Sequence, residues 1–394
     1  MLADDRMTPG EFGALVPAAT RAVYLNAAAA SPLPIPVGDA IRAHVERTVS
    51  QGDREFPRWL EQRDDLRSRV ARLIGAASAR DVAFLSSTSV CFSVVASILK
   101  SRGVTEIVTL EGEFPSTAIP FLNAGIELRA VRARADGSYA AEDIDAACTS
   151  QTGAIAASIV QYASGFRVDL DALGKIARDR KVALCLNAAQ ALGHVPIDVA
   201  GADFLCGACH KWLMAGYGAA VFFARSEWMD GPLPLSGWLS VDEEVRWQTF
   251  GGARTELGDR VIVARDARIR HDAAALEAGG GIWALYPGIA AAIDLQEKLG
   301  PTTILAHDLM LQKRLREGLR KRGFAPNAPD DPAISSGITV VAVADAIGVV
   351  RALLGKGILT TPRGPGVRIS THVYNDESDV DRLLAAWDEL GVRP

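Results

Sequence analysis

The sequence predicts an α/β protein, with a mostly parallel sheet covered on both faces by helices and a smaller unit after it. Three observations carry this. Between about residues 81 and 223, apolar runs of strand length alternate with helical stretches. Some of those runs, such as Val182–Leu186, are apolar at every position, the pattern of a strand buried on both faces. The runs give way to short polar or small-residue segments, at the edge where open α/β sheets bind ligands.

Taken in order, residues 1–20 are mixed and Pro-containing and read as an N-terminal arm. Tyr24-Leu25-Asn26 then leads into the small side chains Ala27 to Ala30 and the turn at Ser31-Pro32. Such a segment either lets a ligand approach the backbone or forms a tight packing corner. Residues 36–74 read as helix, with Val37, Ile41, Val45 and Val49 at three- and four-residue steps. Asp81–Leu85 is a strand and Val90–Leu99 a helix. Ser86-Ser87-Thr88-Ser89 between them can cap that helix, and the same geometry offers free N–H groups to a phosphate. Further strands are expected at Glu106–Leu110, Ala154–Val160, Val182–Leu186, Asp203–Cys206 and Tyr217–Phe223, with a helix at Leu170–Arg180.

From about residue 226 to Gly279-Gly280-Gly281 the pattern is irregular and rich in Gly and Trp. Helices follow at Gly288–Leu299 and Ile304–Arg322, then a strand at Ile338–Ala342, a helix at Ile347–Leu354, a strand start at Arg368–Ser370 and a last helix at Glu377–Leu390. The expected organisation is an arm over 1–20, a large domain over 21–280 and a small one over 281–394.

Composition narrows the class. With 394 residues, 49% hydrophobic and 23% charged, the chain is long enough for a large core and ordinary for a globular enzyme. Its net charge of -5 argues against coating nucleic acid or an anionic membrane. The five cysteines fall mostly in apolar runs, the usage of a reducing compartment, and no run reaches membrane-span length. A cytoplasmic location is expected. Cys206 and Cys209 have zinc-like spacing but no second pair, so no metal site is expected.

The chemistry centres on Cys206-Gly207-Ala208-Cys209-His210-Lys211-Trp212. A lysine between apolar runs loses its proton easily, becomes a nucleophile and can hold an aldehyde as a Schiff base. A lysine at a strand end can equally reach solvent. Phe114, at the end of its strand, is either a core aromatic or a plate for a flat ligand. The strand Val182–Leu186 ends in Asn187-Ala188-Ala189-Gln190. Phosphate cradle, aromatic plate, polar strand end and lysine together are the parts needed to hold a flat, phosphorylated aldehyde.

In this order and spacing the segments resemble the class V aminotransferase family over about residues 22 to 390. These are pyridoxal-phosphate enzymes that include cysteine desulfurases, selenocysteine lyases, kynureninases and isopenicillin N epimerase-like proteins. The resemblance implies fold-type I, with a seven-stranded-type sheet domain, a smaller α+β C-terminal domain and a homodimer. It implies that Lys211 carries pyridoxal 5'-phosphate, that Thr88 and Ser89 bind its phosphate with His210 nearby, and that Phe114 stacks on its ring. Gln190 would bond the ring's phenolic oxygen. Arg368 would clamp the substrate carboxylate, Asn26 would lie near the substrate, and Glu277 would be structural.

Three departures from the family pattern shape the expected function. Asn187 stands where the family carries an aspartate against the pyridine nitrogen. An amide there offers a neutral hydrogen bond of about 0.5–1.5 kcal/mol instead of the about 1.5–3 of a charged one. The segment Leu359–Val367 lacks the persulfide-forming cysteine of the desulfurases. Ala208 replaces a serine that often contacts the phosphate. The expectation is β-elimination or a related C–S or C–C lyase step on an amino acid. Aminotransferase, epimerase and cyclising chemistries, and a non-catalytic pyridoxal-phosphate-binding or scaffold protein, are the alternatives. Trp238, Trp247, Phe250 and Arg254 suit either a bulky substrate or a dimer interface.

Overall fold

The computed structural model describes residues 6–134, 136–241 and 268–394. Trp247, Phe250 and Arg254 lie outside the described residues. The N-terminal arm carries two short helices, Pro9–Ala14 and Pro17–Arg21, and its Phe12 is buried in the main core. Strand β1 (Val23–Tyr24) follows.

The large sheet is built from β2 (Val82–Leu85), β3 (Glu106–Leu110), β4 (Glu127–Val131), β5 (Thr152–Ser158), β6 (Ala183–Asn187), β7 (Phe204–Ala208) and β8 (Ala220–Ala224). Its order is β2-β8-β7-β6-β5-β3-β4. The run from β7 to β4 is parallel, and β8 is antiparallel to both its neighbours. The side-chain period of two divides each central strand between two cores. Leu184, Leu186, Leu205, Val221 and Phe223 enter one, and Cys185, Phe204, Cys206, Phe222 and Ala224 the other. That is why these strands are apolar at nearly every position. Cys206 and Cys209 pack into different cores, so their spacing does not make a ligand pair.

Most expected elements are present within two or three residues. The single helix expected over 36–74 is two, Ile35–Gln51 and Phe56–Ile74. Gly52, at φ +62°, ends the first, and Pro57 sits in the first turn of the second. Strand β4 and the helices Pro115–Asn123 and Ala141–Ala147 were not anticipated. Strand β4 is an edge strand with Glu127, Arg129 and Ala130 exposed or half-exposed, so it lacks the apolar signature of its neighbours.

The C-terminal part carries β9 (Pro326–Asn327), β10 (Ile338–Ala342), β11 (Ile358–Leu359), β12 (Thr361–Arg363) and β13 (Gly366–Ser370). A four-stranded antiparallel sheet of order β12-β13-β10-β9 packs on helices Pro301–Lys321 and Glu377–Glu389. Two segments pack across the expected boundary at residue 281. Strand β1 pairs in parallel with β11, and helix Tyr286–Leu299 buries Ile289, Ala292 and Ile293 in the large core. Among the described residues, no helix is long and apolar enough to cross a membrane.

Candidate active site

The carboxyl ends of β2, β3, β5, β6 and β7 converge on one cavity of about 360 Å³, which hairpin β12–β13 lines from the other side. Lys211 is placed there by a tightly built loop after β7. Trp212 is fully buried, stacks on His194 with ring centroids 3.7 Å apart, and donates its Nε1–H to Gln190 Oε1 at 2.7 Å. His372 Nε2 lies 2.9 Å from the Trp212 carbonyl oxygen. Met214 adopts a left-handed φ of +59°, a sparsely populated conformation for a side chain of its kind. Beneath the loop, Gly193 has φ +103°, and a Cβ there would sit 2.5 Å from the Leu213 nitrogen. Only glycine fits.

These contacts hold the Lys211 amine in a largely dehydrated place, 5.4 Å from the centre of the Phe114 ring. Burial first, then the nearby Arg368 and Arg363 guanidinium groups, bring its pKa down to about 7. His210 is pushed down to about 4 by burial and by Lys211, so its imidazole is neutral near pH 7, stacked on Tyr217 at 4.1 Å. Phe114 is 37% exposed and meets Tyr162 edge-on at 5.3 Å. It is a plate on the cavity wall and not a core aromatic.

At the β2 end, Ser87 caps helix Thr88–Ser101 by accepting from the Val90 N–H. Thr88 is buried, and its hydroxyl has no hydrogen-bond partner among the described residues. Ser89 lines the same rim and is exposed. A buried orphan hydroxyl beside the free N–H groups of a long helix fits a phosphate. Opposite, Arg368 is 1% exposed; among the described residues its Nε and Nη2 have no partner and its one bond is a 3.4 Å contact from Nη1 to the Tyr162 carbonyl. Burial and the Arg363 charge depress its pKa to about 9.

Asn187 ends β6, Gln190 follows three residues later, and both line the cavity. Gln190 also donates from Nε2 to the Ala28 carbonyl at 2.9 Å, leaving one amide hydrogen uncommitted. Asn187 Oδ1 accepts from the Ala189 N–H, and its Nδ2 donates to Thr117 Oγ1, both at 2.8 Å. Thr117 in turn donates to Glu113 Oε2 at 3.1 Å. Glu113 also accepts from the Ser158 N–H at 2.6 Å, from the Ser158 hydroxyl and from Gln161 Nε2 at 2.8 Å. Burial raises its pKa, against those donors.

Among the residues singled out, the structure brings Lys211, Thr88, Ser89, Phe114, Asn187, Gln190, His210 and Arg368 around one cavity. Asn26 does not line it. Its backbone bridges to Ser370, and its side-chain oxygen accepts from the Thr361 hydroxyl. Glu277 lies away from the cavity, where it binds Arg63 at 2.9 Å, Arg67, and the Phe84 N–H at 2.9 Å. Reasoning from sequence missed the Thr117 and Glu113 chain behind Asn187, and it missed Arg363. Glu113 directly precedes Phe114, and that adjacency was its only signal.

The family model for Aminotransferase class-V matches residues 23–383. The chain belongs to the class V aminotransferase family. It is 24% identical to an uncharacterized aminotransferase of Bacillus subtilis over 98% of both chains. It is 27% identical to isopenicillin N epimerase of Amycolatopsis lactamdurans, over 93% of this chain and 94% of that protein. The apo structure of cysteine desulfurase from Thermococcus onnurineus NA1 superposes with a TM-score of 0.85, at 24% identity and 98% coverage of each chain. The fold is therefore that of the fold-type I enzymes, and this class V family uses pyridoxal 5'-phosphate. The cavity suits that group: an orphan hydroxyl at a helix N-terminus for its phosphate, an aromatic plate for its ring and a dehydrated amine for its aldehyde.

Proposed function

We propose that this class V enzyme breaks a bond at Cβ of an amino-acid substrate, by β-elimination or a related C–S or C–C lyase step. When bound, pyridoxal phosphate supplies an aldehyde for the substrate amine and an electron sink for a bond broken at Cα. The residues divide the remaining work. Thr88, Ser89 and the first N–H groups of their helix hold the phosphate, with neutral His210 alongside. Phe114 holds the ring plane, and the spare amide hydrogen of Gln190 suits the phenolic oxygen. Arg368, with two buried nitrogens that have no partner among the described residues, receives the substrate carboxylate in a fork. Lys211 would hold the cofactor by its aldehyde. With a pKa of about 7, its free amine is about half unprotonated near pH 7 and would be the base that takes the proton from Cα.

The observation that carries the reading is the amide of Asn187 at the end of β6. One lone pair of its oxygen is taken by the Ala189 N–H and one Nδ2 hydrogen by Thr117, so the one donor it has left is an uncharged N–H. Such a donor suits an unprotonated ring nitrogen. It gives a weaker sink than a carboxylate would, which handicaps full transamination more than elimination of a leaving group from Cβ. No cysteine lies on Leu359–Val367, and all five cysteines are buried, which supports a step that uses no protein thiol.

Incubation with amino acids bearing a leaving group at Cβ should release that group, a 2-oxo acid and ammonia. Rapid stoichiometric transamination with a second oxo acid, and no eliminated product, refutes the proposal. The working unit is a homodimer. Ile119 and Leu122 support this, being 59% and 56% exposed on helix Pro115–Asn123 beside the cavity mouth.

A further inference from the structure

We infer that the cavity holds a second anion site, made by Arg363, and that the substrate is an amino acid whose side chain ends in a carboxylate or a similar oxyanion. The inference rests on the reading above that the site binds an amino acid. Arg363 ends β12, and the hairpin to β13 returns the chain to Arg368, so both guanidinium groups come from one hairpin. Both line the cavity. Among the described residues, Arg363 Nε is buried without a partner, and the one hydrogen bond of the side chain is a 3.3 Å contact from Nη1 to the carbonyl of adjacent Pro362. No carboxylate among the described residues lines the cavity, and Arg363 has no ion pair among them. Its charge instead bears on Lys211 and Arg368, lowering the pKa of each.

Two arginines facing each other's fields, with no acid between them, repel until anions arrive. The α-carboxylate satisfies Arg368. The phosphate cradle, Thr88 and the first N–H groups of its helix, follows β2 in the large sheet, so a phosphate has donors of its own there. The charge left over on the hairpin is that of Arg363, and a substrate side-chain oxyanion satisfies it. A guanidinium fork favours a planar carboxylate or an oxyanion of like geometry over a neutral amide, because only the anion gains a charge-assisted bond on both prongs.

The test compares isosteric pairs on the holoenzyme, reading the cofactor absorbance change on titration with L-aspartate against L-asparagine and L-glutamate against L-glutamine. The wild type should bind one of the acids about tenfold or more tightly than its amide, the scale of a charge-assisted bond. Arg363→Leu should erase that ratio, with the acids losing more affinity than the amides, whereas Arg368→Leu should weaken all four ligands and keep the ratio. Arg363→Lys should keep part of the preference, which separates loss of charge from loss of fold. Titration of each apoprotein with pyridoxal phosphate at about pH 9, where the Lys211 amine has lost its proton with or without the Arg363 charge, should give the same affinity for Arg363→Leu as for wild type. Equal binding of acid and amide by the wild type, or a loss of cofactor affinity in Arg363→Leu, overturns the second anion site and leaves the amino-acid reading standing. A yellow holoenzyme whose spectrum responds to no amino acid overturns both.

Discussion

Replacing Asn187 by aspartate tests the electronic argument most directly, and its size can be worked from the local hydrogen bonds. Asn187 is 3% exposed and donates to Thr117, whose own proton goes on to Glu113. An ionised carboxylate cannot donate to Thr117, so the hydroxyl proton must be shared between the new carboxylate and Glu113. Glu113, already raised by burial, then holds its proton to higher pH. Toward the cofactor, exchanging a neutral for a charge-assisted bond gains about 1 kcal/mol. The bare Coulomb term for charges ~3 Å apart at an effective dielectric of about 20 is roughly 5 kcal/mol, an upper bound. At about 1.4 kcal/mol per unit, N187D should raise the pKa of the bound ring nitrogen by about one to four units. A pH titration of the cofactor-loaded protein, followed by absorbance, reads this shift. A parallel assay should show transamination rising relative to elimination. Identical spectra across pH with an unchanged product ratio would refute the assignment of Asn187 to the ring nitrogen.

Other consequences are open to measurement. The lowered Lys211 pKa is a stability statement: between about 7 and 10.5 the unfolded lysine binds a proton that the folded site does not, so apoprotein stability rises with pH across that window. K211M should accordingly stabilise the apoprotein by about 3–5 kcal/mol at pH 6, with the advantage shrinking toward pH 10; urea denaturation that shows a pH-independent gap would contradict this. Treating holoenzyme with borohydride should fix the cofactor to Lys211, seen as a mass increase on its peptide, and K211A should show none. Glu277→Gln strips the buried charge facing Arg63 and Arg67 and should cost about 3–5 kcal/mol in chemical denaturation, the scale of an orphaned buried charge. Equal midpoints would mean that the two arginines find other partners. Gly165→Ala forces a Cβ to within 2.4 Å of the Ile338 carbonyl oxygen at φ +70° and should lower the melting temperature, whereas Gly231→Ala, with open space around it, should do so far less.

The strands, their order of use and the ends that carry chemistry were legible in the sequence, because each depends on a short-range pattern. Runs such as Val182–Leu186 are apolar at every position because the period of two sends alternate side chains into two different cores. Ser87 and Thr88 declare a helix start whatever lies around them, and Lys211 follows a buried strand by a few residues of chain. The break between helices Ile35–Gln51 and Phe56–Ile74 was also written locally, in Gly52 and Pro57, but the apolar stripe masked it. Strand β4 stayed hidden because an edge strand exposes polar side chains and loses the apolar signature.

What only the tertiary structure decided are contacts between residues far apart in the chain. That Asn187 reaches Glu113 through Thr117 depends on β6 lying one strand from β5 and two from β3 in the sheet order. That Arg363 faces Lys211 depends on a hairpin more than a hundred residues away folding over the cavity. That Asn26 turns to Thr361 depends on β1 pairing with β11. Periodicity and capping act over a few residues, so sequence alone determined the elements and the lysine. Hydrogen-bond reach and the field of a charge act through space, so only the closed fold could decide which groups set the chemistry of that lysine.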